Sequence, residues 1–420
     1  MWADSAWYRF GVRAALGRLA GFGLSTALLA LASLAATPAM VAASGPAAWG
    51  AIALGQGVGA IASVVVGWGW SLSGPAIVAR GDASVQRREY TDSVRVRLAL
   101  LIPGAASAAF VAAALASHQV PFAAAGAISA TAVALTSSWY FAGLARPYVW
   151  LLLETIPRVG GTAAGVVAMK SGYSAIIGLA CTSSGMALAF LLATAWVYRS
   201  TTRRGADRLP GGNLIEVLIS RRHGIASVAG YFVFLNTPLA IVSVIAPTVQ
   251  PVFALVDRVR QMVEAGLNSV VLVLQGWVPR GGEDKLVRRG RVALGVICVF
   301  AVAFCARFLP AAPYLMRWLS HGQIAVPELL VVLIAVVIAI DLFIWVLENA
   351  VIAAFGRLEI VSRATVASLI VMLPLVIIGT VHFGATGAIV GTVFGLMVRM
   401  TIDLAGARRM ATDRSYITFK

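Results

Sequence analysis

Charged side chains are scarce in this sequence. Only 12% of its 420 residues are Asp, Glu, Lys or Arg, and 60% are hydrophobic, whereas a water-soluble domain carries about 25% charged residues. A chain with so little charge cannot cover a globular core in water. The composition, with a mean hydropathy of +0.88, therefore predicts an integral membrane protein without a soluble domain of any size.

Cysteine and histidine are also rare, with three and four residues respectively. The cysteines lie far apart within apolar runs, and the histidines lie at loops or span ends, so neither set has the spacing of a metal site. The sequence lacks a P-loop and an HExxH motif, and no outer loop is long enough to hold donor and acceptor substrates. We therefore expect no metal, no cofactor and no enzymatic activity.

Long apolar runs are what the sequence has in abundance. A helix needs about 20 mostly apolar residues to cross the hydrocarbon core. Twelve such runs predict an all-α membrane protein with transmembrane helices near 15–38, 47–73, 98–117, 121–143, 148–169, 173–197, 224–246, 252–278, 292–311, 324–351, 364–381 and 384–405.

The basic residues that produce the net charge of +16 lie between alternate spans. The predicted inner segments hold 26 of them, Arg95 and Arg97 included, and the outer loops hold three, which are Lys170, Arg307 and Arg317. This asymmetry predicts that both termini are cytoplasmic and that the basic clusters face anionic lipid headgroups rather than nucleic acid.

The longest inner loop divides the chain near its middle. It is rich in charge and contains Pro210, Gly211 and Gly212, as linkers do. The sequence therefore predicts an N-terminal six-helix lobe at 1–200, a cytoplasmic linker at 201–223 and a C-terminal six-helix lobe at 224–420. In the last span, Gly387, Gly391 and Gly395 form a smooth stripe that favours close helix packing.

Several predicted spans contain ionisable residues, which are costly in a bilayer and are functional candidates by default. The fifth span carries Glu154 and Arg158 on one helix face, and the twelfth carries Arg399 and Asp403. The eighth and tenth spans carry the remaining candidates, which are Asp257, Arg258, Arg260, Glu264, Asn268, Asp341 and Glu348.

Two interpretations of these residues remain open. In the functional one they line a hydrated cavity between the two halves. There the arginines meet an anionic substrate group, and Asp341 or Glu348 binds a proton or sodium. In the structural one the charges neutralise each other within the helices. The expected pairs are then Glu154 with Arg158, Arg260 with Glu264, and Arg399 with Asp403.

Four stretches, at 67–80, 138–158, 251–264 and 383–391, resemble the polysaccharide-exporter branch of the multidrug/oligosaccharidyl-lipid/polysaccharide (MOP) exporter superfamily. Flippases of the Wzx type, which carry lipid-linked oligosaccharides, are the nearest comparison. The resemblance implies a MATE-like fold of two six-helix bundles around a central cavity, and alternating access. It also implies that cationic residues hold the pyrophosphate, a role that would fall to Arg158, Arg258 and Arg260.

The same resemblance implies a function. The chain would flip an undecaprenyl-(pyro)phosphate-linked oligosaccharide from the inner to the outer leaflet during cell-surface polysaccharide biosynthesis. Its partners would be the lipid-linked glycan, membrane lipids and other polysaccharide-assembly membrane proteins, in a bacterial inner or plasma membrane. The alternative is an ion-coupled exporter of drugs or small solutes from the same superfamily.

Overall fold

The computed structural model describes residues 4–205, 213–278, 283–352 and 358–412. Within these ranges the chain is helical and has no strand. The N-terminal helices are α1 (Asp4–Gly67), α2 (Trp70–Arg80), α3 (Ala83–Leu115), α4 (Val120–Thr131), α5 (Ser138–Gly143), α6 (Pro147–Trp150), α7 (Ile156–Lys170) and α8 (Ala175–Arg203). The following helices are α9 (Leu214–Ile245), α10 (Gln250–Trp277), α11 (Glu283–Leu319), α12 (Glu328–Val346) and α13 (Leu358–Thr412).

Two glycines break the two longest helices. Gly45 in α1 has φ 82°, and Gly384 in α13 has φ 58°. This left-handed backbone is accessible to glycine and strained for residues with a Cβ atom. The breaks fall between the spans predicted at 15–38 and 47–73, and at the boundary of those predicted at 364–381 and 384–405, so both divisions are confirmed.

Eight helical stretches of the described residues are long and apolar enough to cross a membrane. Two of them, Gly21–Gly67 and Glu359–Met410, are 47 and 52 residues long, about twice the 20 residues that one crossing needs. Each therefore contains two crossings. Together with α9 and α10, of 32 and 28 residues, the described part of the chain provides twelve. The predicted all-α membrane fold is confirmed.

The chain forms two compact units, Met1–Phe232 and Val233–Lys420. Of the predicted linker, residues 201–203 end α8, 206–212 lie outside the described residues, and 214–223 belong to α9. The domain boundaries drawn from the sequence stay predictions.

The predicted glycine stripe packs against the preceding part of α13. A Cβ atom added to Gly387 would lie 1.9 Å from the carbonyl oxygen of Gly379, and one on Gly391 would lie 2.6 Å from the backbone nitrogen of Val376. Such distances leave no room for a side chain. The stripe is therefore a packing face, as the sequence indicates.

Three irregular helical segments interrupt the regular helices, and two of them carry a charged side chain of interest, Glu154 and Glu348. A 3₁₀ turn at Ala132–Leu135 separates α4 from α5, and a π-helical turn at Leu151–Thr155 joins α6 to α7. A second π-helical turn, Leu347–Ile352, continues α12. Turns of this type change which way successive side chains point, and they are frequent at functional sites.

Candidate functional site

The first polar cluster lies in the N-terminal unit, around the break between α4 and α5. Breaking a helix frees backbone carbonyls and N–H groups, which need new partners inside a membrane. Arg97 of α3, only 1% exposed, supplies the donors. Its Nη1 donates to the carbonyl oxygens of Ala134 at 3.2 Å and Thr136 at 2.6 Å.

Glu154 binds the N–H side of the same break. This residue lies on the first π-helical turn and is 1% exposed. Its Oε2 accepts the Ser137 backbone N–H at 2.9 Å, and its Oε1 accepts the Thr136 hydroxyl. The carboxylate therefore caps the start of α5, as an acidic side chain caps a helix N-terminus.

Aromatic and hydroxyl groups complete this cluster. The Tyr90 hydroxyl lies 2.9 Å from Ser137 Oγ and 3.0 Å from Thr194 Oγ1. The Arg97 guanidinium lies over the Trp139 ring, 5.7 Å from its centroid. Arg97 and Glu154 thus bind the carbonyls of Ala134 and Thr136 and the N–H of Ser137, and Tyr90 adds a hydroxyl contact to Ser137.

The sequence counts Arg97 among the basic residues of an inner segment, whereas the structure places it within a helix, since α3 begins at Ala83. Its place in this buried cluster was not predicted. A usable signal existed, because Tyr90, Ser93 and Arg97 are spaced three and four residues apart and so share one helix face. In the structure Arg97 Nε donates to Ser93 Oγ at 2.8 Å.

The predicted pair of Glu154 and Arg158 is present, with Nη1 of Arg158 3.3 Å from Oε1 of Glu154. The Arg158 side chain is 21% exposed, against 1% for Glu154. Among the described residues, this is the one side-chain hydrogen bond of Arg158. Since a guanidinium has five N–H donors, Arg158 keeps donors for a further ligand.

The second polar cluster lies in the C-terminal unit around Arg260 of α10. Its guanidinium contacts Asp257 Oδ1 at 2.8 Å and Glu264 Oε1 at 2.8 Å on the same helix. Asp341 of α12 adds a third carboxylate, with Oδ2 at 3.7 Å. The predicted pair of Arg260 with Glu264 is confirmed. The contact with Asp341 joins two helices, which sequence spacing does not reveal.

Two further predicted residues, Arg258 and Asn268, also belong to α10. Arg258 is partly buried and faces a different side of α10 from Arg260, because one residue separates them. The backbone of Asn268 is helical, but its side chain lies outside the described part of the structure.

A cavity of about 30 Å³ adjoins this cluster. Its polar lining consists of Asp257, Arg260, Asp341 and Thr392, and the rest is apolar. One buried water needs about 10–15 Å³ on the same measure. The cavity therefore has room for one or two waters or a small cation next to carboxylates.

The third polar cluster corrects the predicted pair of Arg399 with Asp403. Among the described contacts no hydrogen bond or salt bridge joins these two residues, and Arg399 of α13 forms a bidentate ion pair with Glu348 of the second π-helical turn instead. Its Nε lies 2.7 Å from Oε1, and its Nη2 lies 2.9 Å from Oε2. The spacing of four residues suggested the local partner, but the turn presents Glu348 to Arg399 instead. Asp403 is fully buried beside them.

The fold was compared with solved structures. A multidrug resistance MATE family transporter of the MOP superfamily, in an inward-facing conformation, is 16% identical with a TM-score of 0.73, over 91% of this chain and 94% of that one. A MATE protein in a bent conformation is also 16% identical, with a TM-score of 0.61 over 96% and 97%.

A MOP superfamily transporter from Pyrococcus furiosus, described as having a binding pocket of reverse polarity, is 14% identical with a TM-score of 0.54, over 94% of this chain and 95% of that one. No family model and no curated protein sequence matches the chain. At these identities the likeness establishes the fold alone, which is MATE-like.

Proposed function

We propose that this chain is a membrane transporter that flips an undecaprenyl-(pyro)phosphate-linked oligosaccharide from the inner to the outer leaflet by alternating access. The shared fold with transporters over 91% or more of the chain supports the transporter class. The observation that carries the substrate class is a half-buried arginine with unused hydrogen-bond donors, Arg158.

Arg158 is the best candidate to hold the phosphate. Guanidinium groups bind phosphate through two parallel N–H donors, and Arg158 uses one of its terminal nitrogens for Glu154. A phosphate can therefore bind the remaining edge without breaking the pair. The ion pair orients the guanidinium for that contact.

Arg260 fits a phosphate less well. Three carboxylates, from Asp257, Glu264 and Asp341, already surround its guanidinium. An anionic ligand would meet repulsion from these groups. We therefore give Arg260 the role of holding the acidic residues in place, and Arg158 the role of meeting the substrate.

The cluster around Arg260 suits ion coupling. Within the described part of the chain, three carboxylates contact the single guanidinium of Arg260, and the adjoining cavity has room for a small cation. A proton or sodium ion bound beside Asp341 would reduce the excess negative charge. The gradient of such an ion is one energy source for export. The membrane potential is another, because it acts on an anionic substrate with about 2.3 kcal/mol per charge per 100 mV.

A second candidate function is an ion-coupled exporter of cationic drugs or small solutes. The acidic lining of the cavity favours it, because carboxylates attract cations. One of the structural neighbours is itself a multidrug resistance transporter. The two candidates differ in the charge of the substrate, which makes them separable by experiment.

The experiment uses purified protein reconstituted in liposomes with a fluorescent undecaprenyl-pyrophosphate oligosaccharide. We expect saturable translocation that falls at least about tenfold in Arg158→Gln, because hydrogen bonds to charged groups contribute about 1.5–3 kcal/mol. Lys170→Gln, an exposed cation on the same helix α7, is the matched control and should translocate normally.

Other outcomes have defined meanings. If several glycans fail to cross while a cationic dye is exported, the flippase proposal is wrong and the exporter replaces it. Translocation that is equal in wild type and Arg158→Gln would keep the flippase and remove Arg158 from substrate binding.

A further inference from the structure

Asp403 is a buried acid to which no described residue donates a hydrogen bond. Its side chain is fully buried, and within the described part of the chain neither Oδ1 nor Oδ2 receives a hydrogen bond. A carboxylate held this way in a membrane-spanning helix is strongly disfavoured, because nothing replaces the water that it loses.

The neighbour of Asp403 is another carboxyl group. The Glu348 side chain lies within hydrogen-bonding reach of Asp403. Both Glu348 oxygens already accept from Arg399, at 2.7 and 2.9 Å. Ionised carboxyl groups only accept hydrogen bonds, so two of them facing each other need a proton between them.

The charge balance leads to the same conclusion. Among the described residues, Arg399 is the guanidinium that faces both acids, and Asp341 also faces Glu348. Arg399 can neutralise one carboxylate. The second acid stays neutral only if it carries a proton, since two carboxyl groups that share one site hold a proton in common.

We infer that Glu348 and Asp403 share one bound proton, at a site separate from the cavity beside Arg260. With the proton, Arg399 and the two acids have no net charge. Without it, they carry one negative charge inside the bilayer. Glu348 lies on a π-helical turn, so movement of that turn would separate the acids and release the proton.

This inference deepens the proposed function, because it names a proton site in the transporter, but its test needs no substrate. Infrared spectroscopy of the purified protein distinguishes the carbonyl stretch of a protonated carboxylic acid from the stretches of a carboxylate. We expect wild type to show a carboxylic acid band from the shared proton. Asp403→Asn and Glu348→Gln should each lose this same band, equivalent to one carboxylic acid. In each variant the remaining acid pairs with Arg399 and ionises.

Glu359→Gln is the matched control, because Glu359 is an exposed acid on the same helix as Asp403, and it should keep the band. A band that persists in both variants overturns the inference, and so does loss in one variant alone, since an unshared proton belongs to one acid. If Asp403→Asn does not fold, Glu348→Gln is the deciding variant. A carboxylic acid band that persists in it overturns the shared proton site. If the carboxylic acid band behaves as expected but no glycan is transported, the proposed function is wrong and the shared proton site stands.

Discussion

Arg97 and Glu154 bind opposite sides of the same break in a membrane-spanning helix. The arginine donates to the carbonyls of Ala134 and Thr136, and the glutamate accepts the N–H of Ser137. A cation on the carbonyl side and an anion on the N–H side match the partial charges of the two helix ends. The two residues thus stabilise a discontinuity that lipid alone could not solvate.

Arg97→Met should destabilise the protein strongly. The change leaves two buried carbonyls and the Ser93 hydroxyl without their donor, and we expect a loss of about 3 kcal/mol in the free energy of unfolding. Thermal unfolding in detergent measures it. Arg95→Met, an exposed position on the same helix, is the control. Equal melting temperatures for the two variants would contradict the role given to Arg97.

Arg158→Gln should separate stability from function. Its contact with Glu154 is 3.3 Å long, and in the variant Glu154 keeps its hydrogen bonds from Thr136 and Ser137, so replacing the guanidinium by an amide should cost only about 1 kcal/mol. The same variant is expected to lose glycan translocation. A large fall in melting temperature would indicate instead that Arg158 is mainly structural.

The architecture could be predicted from the sequence because the lengths of the apolar runs and the distribution of basic residues between them depend only on the order of residues along the chain. Intrahelical pairs such as Glu154 with Arg158 follow from a spacing of four residues. Contacts between helices do not: Arg260 with Asp341, and Arg399 with Glu348, depend on how helices pack. The π-helical turn at Leu347–Ile352 changes the register of Glu348, and hydropathy does not detect such a turn.

Arg399 and Glu348 should be energetically coupled. Arg399→Met leaves the one negative charge of Glu348 and Asp403 without a counter-ion, which we expect to cost about 3 kcal/mol. Adding Glu348→Gln removes part of that excess charge, so the double variant should be more stable than Arg399→Met alone. A double-mutant cycle from thermal unfolding should give a coupling of about 1–3 kcal/mol. Additive effects would argue against the bidentate pair.

Gly387→Ala tests the close helix contact. A Cβ atom there would lie 1.9 Å from the Gly379 carbonyl oxygen, so the helix segments must move apart, at a cost of about 1–3 kcal/mol. Gly295→Ala in α11 is the control, because a Cβ atom there meets nothing within 4 Å. The control should be neutral or slightly stabilising, since Ala favours helix over Gly. Equal effects at both positions would contradict the packing.

Asp341→Asn should abolish ion dependence while the protein still folds. The amide oxygen of Asn can still face Arg260, which keeps the contacts of Asp257 and Glu264, but the neutral side chain no longer attracts a cation into the adjoining cavity. Transport in liposomes, measured across pH and with or without a sodium gradient, should therefore lose the dependence that wild type shows.

Glu328→Gln provides the control for Asp341→Asn, because Glu328 is an exposed acid at the start of the same helix α12. It should keep the wild-type dependence on pH or sodium. If Asp341→Asn keeps it too, the coupling ion binds elsewhere, and the shared proton of Glu348 and Asp403 becomes the next site to test. If wild-type transport depends on membrane potential but on neither a pH nor a sodium gradient, the potential drives the charged substrate directly. The acids around Arg260 then serve to stabilise the fold.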